Sequence, residues 1–172
     1  MPKRNRLFTL FITLFLSLVL VIGISIAAED PAVERTRQQV EMLDTLYKTA
    51  IVLITDKYVT DPSKFSGASA AKALFDTMKE NGYHEVRLVG LTDTLINPSA
   101  NKPKDAFEEQ AKEKLLAGKP SHEEVVTLDG KRYLRKATPV PVVLEKCAMC
   151  HANFKDNDGV IGTLAYTIPL VE

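Results

Sequence analysis

The chain has 172 residues, which suits one domain with a buried core. Basic and acidic side chains balance at 22 each, and setting aside residues 1–27, which hold three basic and no acidic side chains, leaves 19 against 22. This composition gives no basic surface of the kind that binds nucleic acid, so nucleic acid is excluded as an expected partner.

The N-terminus has the pattern of an export signal. Three basic residues precede an uncharged apolar run from Leu7 to Ala28, and Ser25-Ile26-Ala27 offers a small-x-small cleavage pattern. The run is also long enough to span a bilayer. We expect residues 1–27 to be a signal peptide or an uncleaved membrane anchor. Residues 28–172 would then form the domain, exported to the periplasmic side of the membrane.

Two helices are predicted next. From Pro31 to about residue 58, apolar residues recur at spacings of three and four, which favours one long helix. Its expected apolar stripe comprises Val33, Val40, Leu43, Tyr47, Ala50, Ile51, Ile54 and Tyr58. A second helix is expected over residues 68–78, with Met78 on its apolar face, and Asn81-Gly82 would end it.

The middle of the chain is predicted to hold a strand and a third helix. "HEVRLVGL" is rich in β-branched and apolar residues, as strands are, and "INPSANKPK" is typical of a turn-rich connection. Asp105 can cap the third helix, with Glu108 three residues later as in a capping box. Gly118 and Pro120 would end that helix.

The last part of the chain is predicted to be strands. Asp129-Gly130 lies between two strand-like runs, which is a strong hairpin signal. "GVIGTLAYTIPL" alternates, with Val160, Leu164, Tyr166, Ile168 and Leu170 on one side, and Thr163, Ala165 and Thr167 on the other. We expect a half-buried strand there. Helices gathered on an antiparallel sheet give an α+β fold class.

The pentapeptide "CAMCH" at positions 147–151 holds the only two cysteines, and three chemistries use such a motif. A structural zinc site needs four ligands, and only His151 and two distant histidines could complete a cysteine pair. Thiol-disulfide exchange needs a helix directly after the motif, to lower the pKa of the first cysteine, whereas "HANFKDNDGV" is typical of a loop.

Covalent haem attachment needs only what the motif contains. Cys147 and Cys150, three positions apart, can add to the two vinyl groups of one haem, and His151 can then bind the iron as the proximal ligand. Such attachment occurs on the outer side of the membrane, to which the N-terminal segment would send the chain. The motif therefore favours a c-type haem protein, with zinc and thiol-disulfide chemistry as alternatives.

Longer stretches resemble a known bacterial family of exported c-type haem domains with a PAS-like fold, long catalogued as a domain of unknown function. The matching stretches are "LYKTAIVLITDKYV", "GYHEVRLVG", "INPSANKPKDAFEEQA", "DGKRYLRKATPVPVVLEKCAMCH" and "GVIGTLAYTIPL". The resemblance implies a sheet of about five antiparallel strands flanked by helices. It also implies one haem c, with Cys147 and Cys150 as thioether anchors and His151 on the iron. Some members use a cysteine of the first helix as the other iron ligand, but this chain has no spare cysteine.

The sixth iron ligand stays open at this stage, with Met42, His84 and His122 as weak candidates. Ordinary packing in the core for Met42, and exposure at the surface for the two histidines, are the simpler expectations. Tyr58 and Tyr133 could line the pocket or simply pack. Arg132, Arg135 and Lys136 could pair with haem propionates, although exposure on a strand explains them as well.

Two functions follow from the motif. The first is a monohaem c-type cytochrome-like protein in electron transfer, with an unknown redox partner. The second is a sensor or ligand-binding module in which a redox change or a small gas at the iron shifts the sheet. No grouping of nucleophile, base and orienting residue is apparent, so an enzyme is not the expected function.

Overall fold

The computed structural model describes residues 29–61, 66–93, 95, 97–148, 154–155 and 159–171, with Met149 and Cys150 described by their backbone only. Within these residues the chain forms an α+β domain, as predicted. The elements in chain order are α1 (Pro31–Tyr58), α2 (Gly67–Glu80), β1 (Glu85–Gly90), α3 (Pro98–Asn101), α4 (Ala106–Leu116), β2 (His122–Leu128), β3 (Lys131–Pro141), α5 (Cys147–Cys150) and β4 (Val160–Pro169).

The long first helix begins and ends as the sequence predicts. The carboxylate of Asp30 accepts a hydrogen bond from the Ala32 amide at 2.9 Å, and Pro31 occupies the first turn. The predicted apolar stripe is buried at Val33, Val40, Leu43 and Tyr47. At the far end of the helix Tyr58 is 76% exposed, so the stripe leaves the core before the helix ends.

The four described strands form one antiparallel sheet in the order β1-β4-β3-β2, one strand fewer than the resemblance implies. The β2–β3 hairpin confirms the predicted turn. Asp129 and Gly130 have φ values of 50° and 76°, which is the backbone that a tight two-residue hairpin requires.

Helices cover both faces of this sheet. On one face α1 and α2 pack on Val86 of β1, Leu134 of β3, and Leu164, Tyr166 and Ile168 of β4. On the other face α4 packs on the sheet. The residues buried there are Leu91, Phe107, Ala111, Leu115 and Ala137. The domain therefore has three layers, and Met78 packs against the first of the two cores, as predicted.

Strand β4 lies between β1 and β3 and is buried on both faces. Leu164 and Tyr166 contribute to the α1 core, while Thr163 and Ala165, on the opposite face, are also buried. The prediction of a half-buried strand is therefore wrong, because alternation with threonine and alanine shows which residues share a face but not whether a helix covers the other one.

Val160 also departs from the prediction, which placed it on the same side of β4 as Leu164 and Tyr166. It packs against the α4 core, although Leu164 and Tyr166 pack against the α1 core. The register between β3 and β4 shifts between Val140 and Pro141, close to Val160. Such an irregularity interrupts the regular alternation of side chains, and it occurs where β3 leaves the sheet toward the pentapeptide.

The cap of α4 holds one detail that the sequence did not specify. Asp105 accepts a hydrogen bond from the Glu108 amide at 3.0 Å, as predicted, and Gly118 takes a positive φ of 81° after the helix ends. The Glu108 carboxylate, however, accepts from the Lys104 amide at 2.9 Å, one residue before the cap. The preceding connection, expected as turns, contains the short helix α3.

Candidate functional site

The pentapeptide follows the end of β3 and begins as a single helical turn. Two backbone hydrogen bonds, from Cys147 to Leu144 and from Ala148 to Glu145, both 3.0 Å, turn the chain into α5. Because residues three apart lie on the same side of a helix, this turn places positions 147 and 150 on one face.

Part of the predicted site lies outside the described residues. His151 and the side chain of Cys150 are among the residues not described. The Cys147 thiol is free and half-buried. The assignment of the two thioethers and of the proximal iron ligand therefore remains a prediction from the sequence.

A cavity of about 640 Å³ adjoins this turn. Five of its lining residues are apolar and two are charged: Val142, Val143, Leu144, Ala148 and Phe154, with Glu145 and Lys155. Its volume falls within the range of about 300–1,000 Å³ that is usual for ligand and cofactor sites. An apolar wall that includes Ala148, the residue after Cys147, fits a haem, whose flat faces are apolar, and Lys155 offers a positive charge for its carboxylates. The described residues thus fit the group that the motif implies.

The C-terminal part of α1 borders the same segment. The Lys146 ammonium, one residue before Cys147, donates a hydrogen bond to the backbone carbonyl of Asp56. The Asp56 carboxylate lies 4.0 Å away from the same ammonium. Interaction with Lys57 and Lys146 holds the pKa of Asp56 below its usual value. This contact places the last turns of α1 beside the attachment segment.

Candidate Met42 lies away from this border. Its side chain is 63% exposed, so the expectation of core packing is wrong. A helix rises about 1.5 Å per residue, so Met42 lies about 21 Å along α1 from Asp56. The apolar stripe of α1 is narrow enough that Leu43 is buried and its neighbour Met42 faces outward.

Candidate His84 lies in the core beside α1, so the expectation of a surface histidine is wrong. Only 6% of it is exposed, and its Nε2 atom lies 2.9 Å from the Tyr47 hydroxyl. Burial lowers its pKa. Its ring is therefore a packed, neutral group at the start of β1.

Candidate His122 is buried on the opposite face of the sheet, where α4 covers it. Its ring stacks on Phe107, with centroids 5.0 Å apart and planes inclined by 23°, and its Nδ1 atom lies 3.0 Å from the Lys114 ammonium. Burial, then the nearby Lys114 charge, lower its pKa, against the weaker opposing effect of Glu124 and Glu123. This histidine also was expected at the surface, and that expectation is wrong.

Arg132, Arg135 and Lys136 of β3 pair with carboxylates of the chain itself. Arg132 pairs with Asp30 at the start of α1. Arg135 lies 2.8 Å from Asp105 and its guanidinium lies 4.2 Å above the Phe107 ring. Lys136 is buried and lies 3.3 Å from Glu123. None of the three is among the residues that line the described cavity, and their possible pairing with haem propionates stays a prediction. Simple exposure does not describe Lys136, which is buried, whereas the Arg132 side chain is 38% exposed.

The half-buried carboxylate of Asp44, which the sequence did not single out, ties α1 to the exit of β3. One oxygen of Asp44 accepts hydrogen bonds from Thr138 at 2.6 Å and from Tyr166 at 2.9 Å, and the other lies 2.7 Å from the Lys48 ammonium. Burial, and then the Asp44 charge, raise the pKa of Tyr166 far above its usual value. Thr138 lies three residues before Pro141, so this network fixes the part of β3 that leads into the cavity wall.

No group of three or more histidine, cysteine, aspartate or glutamate side chains within the described residues is placed to hold a metal ion. Among the described helices, none combines the length and the apolar character needed to cross a bilayer. The apolar run from Leu7 to Ala28 and His151 lie outside the described residues.

The sequence model of the Tll0287-like family matches residues 25–165, from before α1 into β4. The chain belongs to the Tll0287-like family. This Tll0287-like match includes the whole pentapeptide and the cavity wall. Among curated proteins, none matches the chain.

Proposed function

We propose that this Tll0287-like protein is an exported, monohaem c-type cytochrome-like protein that serves in electron transfer or related redox chemistry. The observation that carries the proposal is the helical turn of Cys147–Cys150 beside an apolar cavity of about 640 Å³. Membership of the Tll0287-like family is consistent with a c-type haem domain. The PAS-like description of the fold belongs to this proposal too, and the four-stranded antiparallel sheet with flanking helices supports it.

Each part of the site has a role in this proposal. Cys147 and Cys150 form the thioethers, and His151 binds the iron. When bound, the haem supplies an iron that cycles between its ferric and ferrous forms by taking up and releasing one electron. One side of the haem would be shielded from water by Val142, Val143 and Leu144. Such shielding favours the ferrous iron, which carries less charge than the ferric iron.

The hydrogen bonds around the site keep its wall in place. The Asp44 network fixes β3 up to Thr138, and the contact between Lys146 and Asp56 fixes the segment just before Cys147. A redox protein gains from such rigidity because a fixed environment around the iron sets its potential. Export by residues 1–27 would deliver the chain to the compartment where haem attachment occurs.

Cysteine variants test the proposal. With the chain expressed in a bacterial host that matures c-type cytochromes, the pyridine adduct of the denatured protein should show the spectrum of a twofold thioether attachment. The double variant Cys147→Ala/Cys150→Ala should be colourless, whereas the control Met149→Leu, in the same turn, should keep its haem. Covalent haem in the double variant would contradict the proposal.

A second candidate function, binding of a small gas at the iron, is favoured by where the sixth-ligand candidates lie. Met42 lies about 21 Å along α1 from the contact with the attachment segment. His84 packs against Tyr47, and His122 packs between Phe107 and Lys114. These placements favour an iron with one open position, as gas-binding haem proteins have.

Carbon monoxide separates the two functions. A rapid and complete spectral shift on adding carbon monoxide to the reduced protein supports gas binding. No shift supports a firmly held sixth ligand and electron transfer alone. Met42→Leu should leave the spectra of the oxidised and reduced forms unchanged; a changed spectrum would show that Met42 reaches the iron.

A further inference from the structure

The contact between the C-terminal half of α4 and strand β2 contains a buried polar atom without a partner. His122 is 8% exposed, and its Nε2 atom has no hydrogen-bond partner among the described residues. Its ring stacks on Phe107, and the Lys114 ammonium lies 3.0 Å from its Nδ1 atom. Buried polar atoms normally have partners, so this one requires an explanation.

The neighbouring lysine decides the protonation state of the ring. An ammonium group has only donors, so Nδ1 must accept its hydrogen bond. The single ring proton then lies on Nε2, which is the buried atom without a partner. Protonation at Nδ1 would remove the acceptor that Lys114 uses and would place a second positive charge about 3 Å from the first.

Charges from each packed element act on this ring. From α4 comes Lys114, which lowers the pKa of the ring. From β3, the Arg135 guanidinium lies over the Phe107 ring on which His122 stacks. On the histidine's own strand, Glu123 and Glu124 favour the charged ring. Both glutamates have other cationic partners, since Glu123 binds Arg37 and Glu124 lies 4.0 Å from Arg135. Burial and the Lys114 charge therefore outweigh the two glutamates and lower the pKa of His122.

We propose that the α4–β2 contact is a proton-operated switch, in which protonation of His122 releases the C-terminal half of α4 from the sheet. The contact holds while the ring is neutral. A charged ring loses its bond to Lys114 and lies against a buried aromatic face that Arg135 already occupies. The released half carries Leu115, which covers the outer end of the α4 core. The proposal does not depend on haem attachment.

The direction of the pH effect on the α4–β2 contact follows from the preference of the folded chain for a neutral His122 ring. The pKa of His122 is lowered in the folded chain, by burial first and by Lys114 second. The contact is therefore fully formed above the ordinary histidine pKa of about 6.5, and it is lost as the pH falls below that value. As the pH falls from 6.5 to the lowered pKa, each pH unit should raise the fraction of molecules with a released C-terminal half of α4 by up to about tenfold.

Site-specific titration by NMR of the full chain tests the charge arrangement. The His122 ring should titrate below pH 6.5. Lys114→Met should raise the pKa of His122, because it removes the opposing charge. Lys112→Met, on the same helix, should leave it unchanged. A His122 ring that titrates at or above 6.5, or that responds equally to both variants, would overturn the proposal.

Hydrogen exchange tests the release itself. After correction for the intrinsic pH dependence of exchange, protection of the amides at 115–118 should fall between pH 7 and pH 5, while the amides of α2 stay protected. His122→Phe keeps the stacked ring and removes the titration, so its α4 protection should be independent of pH. Unchanged protection in the wild-type chain, or a pH response that survives in His122→Phe, would show that no such switch exists.

Discussion

Helices α1 and α2 cover one face of the sheet and α4 covers the other, and the two faces bury polar side chains differently. On the α1 face, Asp44 is hydrogen-bonded or paired with Thr138, Tyr166 and Lys48. On the α4 face, His122 keeps one ring nitrogen without a partner in the described residues. A fully paired polar group stabilises its surroundings. An incompletely paired group can hold its contact in one protonation state and lose it in the other. The α1 face, which we call the fixed face, includes Thr138, three residues before Pro141 at the end of β3.

The largest expected effect tests the fixed face. Asp44→Ala removes the acceptor of Thr138 and Tyr166 and the partner of Lys48, and it should lower the free energy of unfolding by about 3 kcal/mol, since hydrogen bonds to charged groups contribute about 1.5–3 kcal/mol each and are not additive. Urea unfolding measures this loss. The control Asp76→Ala breaks an exposed pair with Lys72 and should change stability by less than about 0.5 kcal/mol. Equal losses in the two variants would refute the comparison.

A smaller effect is expected at the start of α4. Asp105 caps the helix through the Glu108 amide and lies 2.8 Å from Arg135. Asp105→Ala should lower the free energy of unfolding by about 1–2 kcal/mol, the usual range for loss of an N-cap. Asp105→Asn keeps the cap acceptor and loses only the charge, so it should cost less. If both variants behave alike in thermal unfolding, the ion pair rather than the cap stabilises α4.

The smallest effect concerns pH and sharpens the contrast between the faces. Burial lowers the pKa of both His84 and His122, so stability is fully present above about pH 6.5 and falls as the pH drops below it. The slope is at most about 1.4 kcal/mol per pH unit for each histidine. Carboxylates with lowered pKa values, such as Glu123, lose their contribution only below about pH 4.5.

Urea unfolding between pH 8 and pH 5 measures this slope. Stability should be nearly constant from pH 8 to pH 7 and should then decline. The decline should be smaller in His122→Phe, with the remainder due to His84. A flat profile down to pH 5 would contradict the neutral, buried state of both rings.

Much of the fold could be predicted because its signals are local. The start of α1 at Pro31, the Asp105 cap, the end of α4 at Gly118 and the Asp129-Gly130 turn each depend on residues within a few positions. The burial of β4 on both faces could not be predicted, because it depends on α4 returning across the sheet. The cavity wall gave a partial signal, since "PVPVVLEKC" is apolar, but only the fold brings Phe154 to it.

The chemistry of the candidate site stays a prediction from the pentapeptide, whereas the contacts around the site were missed. The pentapeptide specifies its own spacing, so its interpretation needs no tertiary information. Asp44 lies beside Leu43 and looks like an ordinary helix carboxylate, because Thr138 and Tyr166 come close to it only through the register of β3 and β4. The two histidines looked exposed because nothing local shows that Tyr47 and Phe107 cover them.

Intact mass spectrometry of the denatured, exported chain tests the central claim most directly. We predict the mass of one haem added to the polypeptide, retained after unfolding in acid and located on the peptide that contains Cys147 and Cys150. A mature chain with the mass of the polypeptide alone, in a host that attaches haem to other c-type cytochromes in the same experiment, would contradict the claim.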